Sequence, residues 1–149
     1  MDVALRYLGY QARTVREVER YLDERQYGEY QVQQVVERLQ ELNLVNDAAF
    51  AEDFVRTRLA SKPVSRRHLR EQMLKHELEK DAIDTALAAV TDEMEQQNAA
   101  LVAKKYLEQL AEKEPEERQQ RVMQRLAARG FDYAVARRGV ELAEAEEEV

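Results

Sequence analysis

The stretch LVNDAAFAEDFVRTRLASKPVSRRHLREQMLKHEL, residues 44–78, decides how this chain reads. It opens on an apolar turn, Leu44-Val45, and a polar pair, Asn46-Asp47, of the kind that caps a helix by accepting hydrogen bonds from free backbone amides. Phe50, Phe54, Val55 and Leu59 then recur at helical spacing and predict one inward face. Lys62-Pro63-Val64 stops that helix, because proline pushes the residue before it away from helical dihedrals. Ser65 is placed to cap a further helix carrying Leu69, Met73 and Leu74. Between Phe54 and His76 lie seven cations, Arg56, Arg58, Lys62, Arg66, Arg67, Arg70 and Lys75, against one acid, Glu71, in a chain of net charge −7. A basic island inside an acidic protein calls for an explanation.

Both flanks continue the helical pattern. Upstream, Asp2 to Tyr10 is a short helix on which Leu5 and Leu8 can share a face. Thr14-Val15-Arg16-Glu17 has the form of a capping box and starts a second helix, to about Gln26, with Val15, Val18 and Leu22 inward. A third runs from about Tyr30 to Leu42 on Val32, Val35, Val36 and Leu39. Downstream, Asp81 is read as the cap of a sixth helix bearing Ile83, Leu87 and Val90, with a break near Thr91 or Asp92. The seventh, to about Lys113, carries Val102, Tyr106 and Leu110. Pro115 suits the first turn of an eighth, where its missing amide costs nothing, and Gly130 ends it. The ninth is expected from Asp132 to Ala143, followed by an acidic tail, EAEEEV, expected to fray.

With 149 residues, 44% of them apolar, and only four glycines and two prolines, the chain has little of the punctuation a sheet needs, and the fold class is all-α. Nine short helices invite a search for repetition. Aligning Leu22, Met73 and Leu126, which stand 51 and then 53 residues apart, brings other apolar positions into register. Val18, Leu69 and Val122 lie four residues before the anchor; Tyr27, Leu78 and Phe131 lie five after; Val36, Leu87 and Val140 lie fourteen after. The expected architecture is a tandem array of three three-helix repeats, 1–46, 47–91 and 92–143, with the tail at 144–149, forming an elongated, curved body.

Composition narrows the function. Without cysteine there is no disulfide and no thiolate chemistry, and no apolar run approaches the roughly 18 residues of a membrane span. The N-terminus has no signal pattern, so the expected location is the cytoplasm. His68 and His76 read as solvated helix residues, and no metal set, glycine-rich phosphate loop or cofactor motif accompanies them. The expectation is a non-enzyme that needs no cofactor.

Charge is more informative. After the basic island, residues 77–97 hold seven acids against Lys80 alone. A second basic segment, 118–138, holds six arginines opposed only by Asp132. Arg118, Arg121, Arg125 and Arg129 step by three or four and so share one helix face. Either these blocks are the wet faces of a helix bundle, or they meet a phosphate backbone or an acidic protein groove.

Three segments resemble successive units of the RecX family: ALRYLGYQARTVREVERYL, LNLVNDAAFAEDFVRTRLASKPVSRRHLREQML and LAARGFDYAVA. The family pattern GL-(I/L)-(D/N)-D-xx-(F/Y)-A is matched by Asn43 to Ala51, with Asn43 where the family has glycine. The pattern G-xx-(R/K)-I-xx-EL is matched less closely over Val64 to Met73, without its glycine. RecX proteins are regulators of the bacterial recombinase RecA. The resemblance therefore implies a protein, expected to act as a monomer, that lies along RecA filaments on single-stranded DNA and restrains their ATPase and strand exchange. The charge pattern then supplies the expected contacts, a central patch at Arg56, Arg58, Lys62, Arg66, Arg67 and Arg70 and a second at Arg118, Arg121, Arg125 and Arg129. The competing readings are a helical DNA-binding protein, since three-helix units overlap in pattern with helix-turn-helix readers, and a helical-repeat adaptor with another protein partner.

Overall fold

The computed structural model describes residues 1–148. Among them are nine helices and no strand: α1 Asp2–Leu8, α2 Val15–Glu24, α3 Glu29–Glu41, α4 Asp47–Ser61, α5 Arg66–Leu74, α6 Lys80–Ala88, α7 Asp92–Gln109, α8 Pro115–Ala128 and α9 Tyr133–Glu147.

Short polar side chains start most of them. The Thr14 hydroxyl accepts the Glu17 amide at 3.2 Å while the Glu17 carboxylate accepts the Thr14 amide at 3.0 Å, which completes the capping box. Asn46, Ser65, Thr91 and Asp132 each accept the amide three residues on, at 2.9 to 3.1 Å. Each such cap contributes about 1 kcal/mol. Asp81 is not a cap: α6 begins at Lys80, so Asp81 sits in its first turn, where a carboxylate still favours the helix dipole.

The repeat is visible in burial and in backbone. Of the twelve aligned apolar positions, eleven are buried, and Tyr27, at 40% exposure, is the exception. Four residues after each anchor the chain enters the left-handed region, at Gln26 (φ 67°), Glu77 (φ 60°) and Gly130 (φ 90°). The same turn conformation recurs at Asn43 (φ 56°), where asparagine, which tolerates this region better than most residues, stands in for the expected glycine. Leu74 differs from its expected inward role and is 53% exposed. It lies one step around the helix from Met73, off the stripe that Leu69 and Met73 share.

The chain divides into two compact units, Met1–Phe54 with Gln72–Ala86, and Val55–Glu71 with Leu87–Val149. The division does not follow the repeats, since α4, α5 and α6 each supply residues to both units. In the first unit Ala4, Val18, Leu22, Val32, Val36, Leu39 and Val45 form the core. Tyr7 and Tyr21 stack beside it at 3.9 Å, with the guanidinium of Arg13 over one ring and that of Arg25 over the other. Here His76 departs from the solvated helix residue expected of it. Its Nδ1 lies 3.2 Å from the buried Glu17 carboxylate, its carbonyl accepts the Thr14 hydroxyl at 2.7 Å, and its ring packs beside Phe50 and Phe54.

In the second unit α7, α8 and α9 enclose Val102, Leu107, Val122, Leu126, Phe131 and Val140. Gly139 lets α9 approach α7 closely, for a Cβ there would stand 3.0 Å from the Ala99 carbonyl carbon. Helix α9 continues to Glu147, four residues beyond its expected end at Ala143. The acidic segment is held by partners: Glu144 accepts from Gln119 at 2.7 Å, Glu147 pairs with Arg118 at 2.9 Å, and Glu146 faces Lys104 at 3.6 Å. Val149, the end of the expected tail, lies outside the described residues. No helix among the described residues is long and apolar enough to cross a membrane.

Candidate partner-binding site

All ten expected contact residues belong to the second unit, but the fold uses them in different ways. Three are committed to the chain itself. Arg66 bonds Asp92 at 2.5 Å, Glu95 at 3.2 Å and the Val90 carbonyl at 3.3 Å, while its own amide donates to Glu95 at 2.7 Å. The guanidinium of Arg118 reaches over the C-terminal end of α7 to the Leu107 carbonyl at 2.9 Å, and pairs with Glu147. Arg129 is 8% exposed and donates to the Pro63 carbonyl at 3.1 Å and the Tyr106 hydroxyl at 3.0 Å. The arginine stripe of α8 thus begins and ends in structural residues, and Arg129 has just left the helix.

The others face outward to different degrees. Arg56, Lys62, Arg67, Arg121 and Arg125 are exposed, and Arg58 and Arg70 are half-buried. Arg121 shares its charge with Glu117 one turn back, at 3.1 Å. Such a pair contributes little and is readily exchanged for a partner's charge.

Cations from α7 and from the second basic segment meet at Tyr106. Arg125 and Arg129 hold their guanidinium carbons 5.3 and 5.4 Å from the centre of its ring, and the Lys105 ammonium is 5.6 Å away. Burial pushes the phenol's pKa up, but the hydrogen bond from Arg129 and the charges of Arg129, Lys105 and Arg125 outweigh it and leave the pKa below its ordinary value. Sequence reading had given Tyr106 to the apolar stripe of α7 and passed over Lys105. The signal available was the pair Lys104-Lys105 beside a tyrosine.

Models of the three successive three-helix domains of RecX match residues 1–39, 46–87 and 92–140 of this chain. The chain belongs to the RecX family. Among RecX relatives, the regulatory protein RecX of Lactobacillus delbrueckii subsp. bulgaricus is 31% identical over 135 residues, which cover 91% of this chain and 50% of that protein. That of Streptomyces coelicolor is 29% identical over 145 residues, covering 97% of this chain and 77% of that one. The crystal structure of RecX from Lactobacillus salivarius superposes with a TM-score of 0.84 at 25% identity, covering 97% of this chain and 94% of that chain. The chain spans about half the length of the curated RecX relatives it matches first.

The RecX junction motif proves to be architecture. Asn46 caps α4, and the Asp47 carboxylate accepts the Val15 amide at 2.9 Å, joining the starts of α4 and α2. Burial raises the pKa of Asp47; the Val15 bond opposes the rise, and the charges of Glu79 and Glu17 add to it. Ala51 is fully buried and the Phe50 ring lies tilted against that of His76, their centres 5.1 Å apart. The residues of this junction hold helices together, and none of the ten candidate contacts lies among them.

Proposed function

We propose that this chain is a cytoplasmic, non-enzymatic regulator that binds RecA recombinase filaments on single-stranded DNA and restrains their ATP hydrolysis and strand exchange. The observation that carries the reading is the run of RecX domains over nearly the whole described chain, each unit present and in family order. The exposed cations Arg56, Arg67, Arg121 and Arg125 supply its contact surface. Each is worth about 0.5–1 kcal/mol at an exposed site, and several such contacts repeated along a filament add through effective concentration.

The test is RecA-dependent ATP hydrolysis on single-stranded DNA, titrated with the protein and with Arg56→Glu/Arg67→Glu and Arg121→Glu/Arg125→Glu variants. Each double reversal is expected to raise the concentration needed for half-inhibition about tenfold or more. Unchanged inhibition by both variants removes this surface from the contact. No inhibition by the unaltered protein refutes the function itself.

A further inference from the structure

Beside Tyr106 the second unit holds an open cavity of about 450 Å³, bounded by the turn after α4 and by the outer face of α7. Its walls carry Lys62, Lys105 and Arg129, together with the ring of Tyr106 and the apolar surfaces of Pro63 and Leu101. No carboxylate contributes to the lining. In a chain with thirty acids this contrasts with Arg66, Arg118 and Arg121, each of which has a carboxylate partner.

The three cations differ in a way that suits a bound anion. Arg129 is more than nine-tenths buried and is fixed by the Pro63 carbonyl and the Tyr106 hydroxyl. Those two bonds use two of the five N–H groups of a guanidinium. Lys62 and Lys105 are exposed, and neither makes an ion pair among the described residues. The site therefore has one rigid, preorganised donor and two long side chains free to close from above. The same cations lower the pKa of Tyr106 against the rise that burial causes.

From this geometry we infer that the cavity binds the phosphate of a nucleotide, with Arg129 and the two lysines on the phosphate and the sugar or base against Tyr106, Pro63 and Leu101. A carboxylate would leave most of the positive charge uncompensated, whereas a phosphate offers several acceptor oxygens to three separate donors. Aromatic faces beside cations are the usual surface for an unpaired base. The volume lies within the ordinary range for small-molecule sites, about 300–1,000 Å³, and fits a single nucleotide. The source is either a free nucleotide or one residue of a single strand. The site does not depend on the recombinase reading, and its test contains no recombinase.

The experiment measures binding of the whole chain to a labelled single-stranded oligothymidylate by anisotropy, and maps that oligonucleotide, dTMP, ATP and inorganic phosphate by amide chemical shifts. Shift changes are expected to gather at Lys62, Lys105, Tyr106 and Arg129. Lys62→Gln/Lys105→Gln is expected to weaken binding about tenfold while moving the thermal midpoint by less than about 4 °C, because both side chains are exposed and neither makes an ion pair among the described residues. If a strand is the ligand, the slope of log K against log salt should fall by up to about 0.7, the value for the one phosphate the lysines help to neutralise. Lys75→Gln/Lys80→Gln removes the same charge from the first unit and serves as the control. Pocket shifts with dTMP or ATP assign a free nucleotide, and pocket shifts with the oligonucleotide alone assign a strand; both support the site. Shifts elsewhere, no binding of any of the four probes, or equal losses in the pocket and control variants overturn it.

Discussion

Replacing Arg66 by glutamine separates a cation that holds the fold from one that meets a partner. Glutamine keeps part of the stem and one donor but removes the charge and the fork. In the native chain the side chain joins Asp92, Glu95 and the Val90 carbonyl. The Asp92 pair contributes little, because that carboxylate is 91% exposed and water screens it. Glu95, at 12% exposure, is desolvated and loses more when its cation goes. It still keeps the 2.7 Å bond from the Arg66 main chain, so it is not orphaned. Losing the Glu95 and Val90 bonds, discounted for the partial exposure of Arg66 itself, comes to about 1–2.5 kcal/mol.

At about 2–4 °C per kcal/mol for a chain of this size, the thermal midpoint should fall by roughly 5 °C. Arg67→Gln, one residue along and exposed, should change stability by less than about 0.5 kcal/mol. Urea unfolding of both variants, run beside the ATPase titration, gives the two readouts at once. The expected pattern is stability lost at Arg66 and inhibition lost at Arg67. If Arg66→Gln unfolds at the native midpoint and yet fails to inhibit, the reasoning is refuted and Arg66 is a contact.

Asp47→Asn should retain the Val15 bond while removing a carboxylate whose pKa is raised in the fold. A raised carboxylate pKa stabilises below the ordinary aspartate range and loses that contribution as pH rises through the folded value. Chemical denaturation should therefore show the variant gaining on the native chain toward neutral pH, with the difference vanishing near about pH 3. Gly130→Ala puts a Cβ on the Ser65 hydroxyl and 2.8 Å from the His68 Cβ at a φ of 90°. Strain and crowding together should cost about 2–5 kcal/mol in urea unfolding, whereas Gly9→Ala, at a φ of −62°, should cost less than about 1 kcal/mol. Of the three residues five after the repeat anchors, Leu78 and Phe131 are buried and Tyr27 is not. Alanine at Leu78 or Phe131 should cost about 2–5 kcal/mol and at Tyr27 about 1 kcal/mol, and similar losses at all three would contradict the burial pattern.

The fold was legible because its signals are local. A capping box at Thr14 and Glu17, a proline at position 115 and apolar residues at helical spacing each constrain a few neighbouring residues, and each acts in the structure as its spacing implies. The repeat was legible for the same reason, since a burial pattern set by helix period survives where identity does not. What failed to show were features made by distant residues. His76 lost its expected solvation because Glu17 and Thr14 reach it across about sixty residues of sequence. The acidic segment after Ala143 stays helical because Gln119, Lys104 and Arg118 await it on other helices.

The candidate contacts divide along a line that the sequence did contain. On α8, Arg118 stands four residues before Val122 and Arg129 three after Leu126, so both lie on the stripe whose apolar members are fully enclosed. On α5, Arg66 stands three before Leu69 and seven before Met73, on the same kind of stripe. A long cation at the border of a buried stripe reaches backbone carbonyls and half-buried acids before it reaches water, and the fold uses it. Arg67 and Arg121 stand one or two residues before a buried position, which turns them off the stripe and into solvent, while Arg125, three after Val122, is exposed at its edge beside Tyr106. Arginines that share a helix face therefore do not share one environment. The face that matters to a partner is the one the apolar residues leave, and on α8 that criterion keeps Arg121 and Arg125 and discards the two ends.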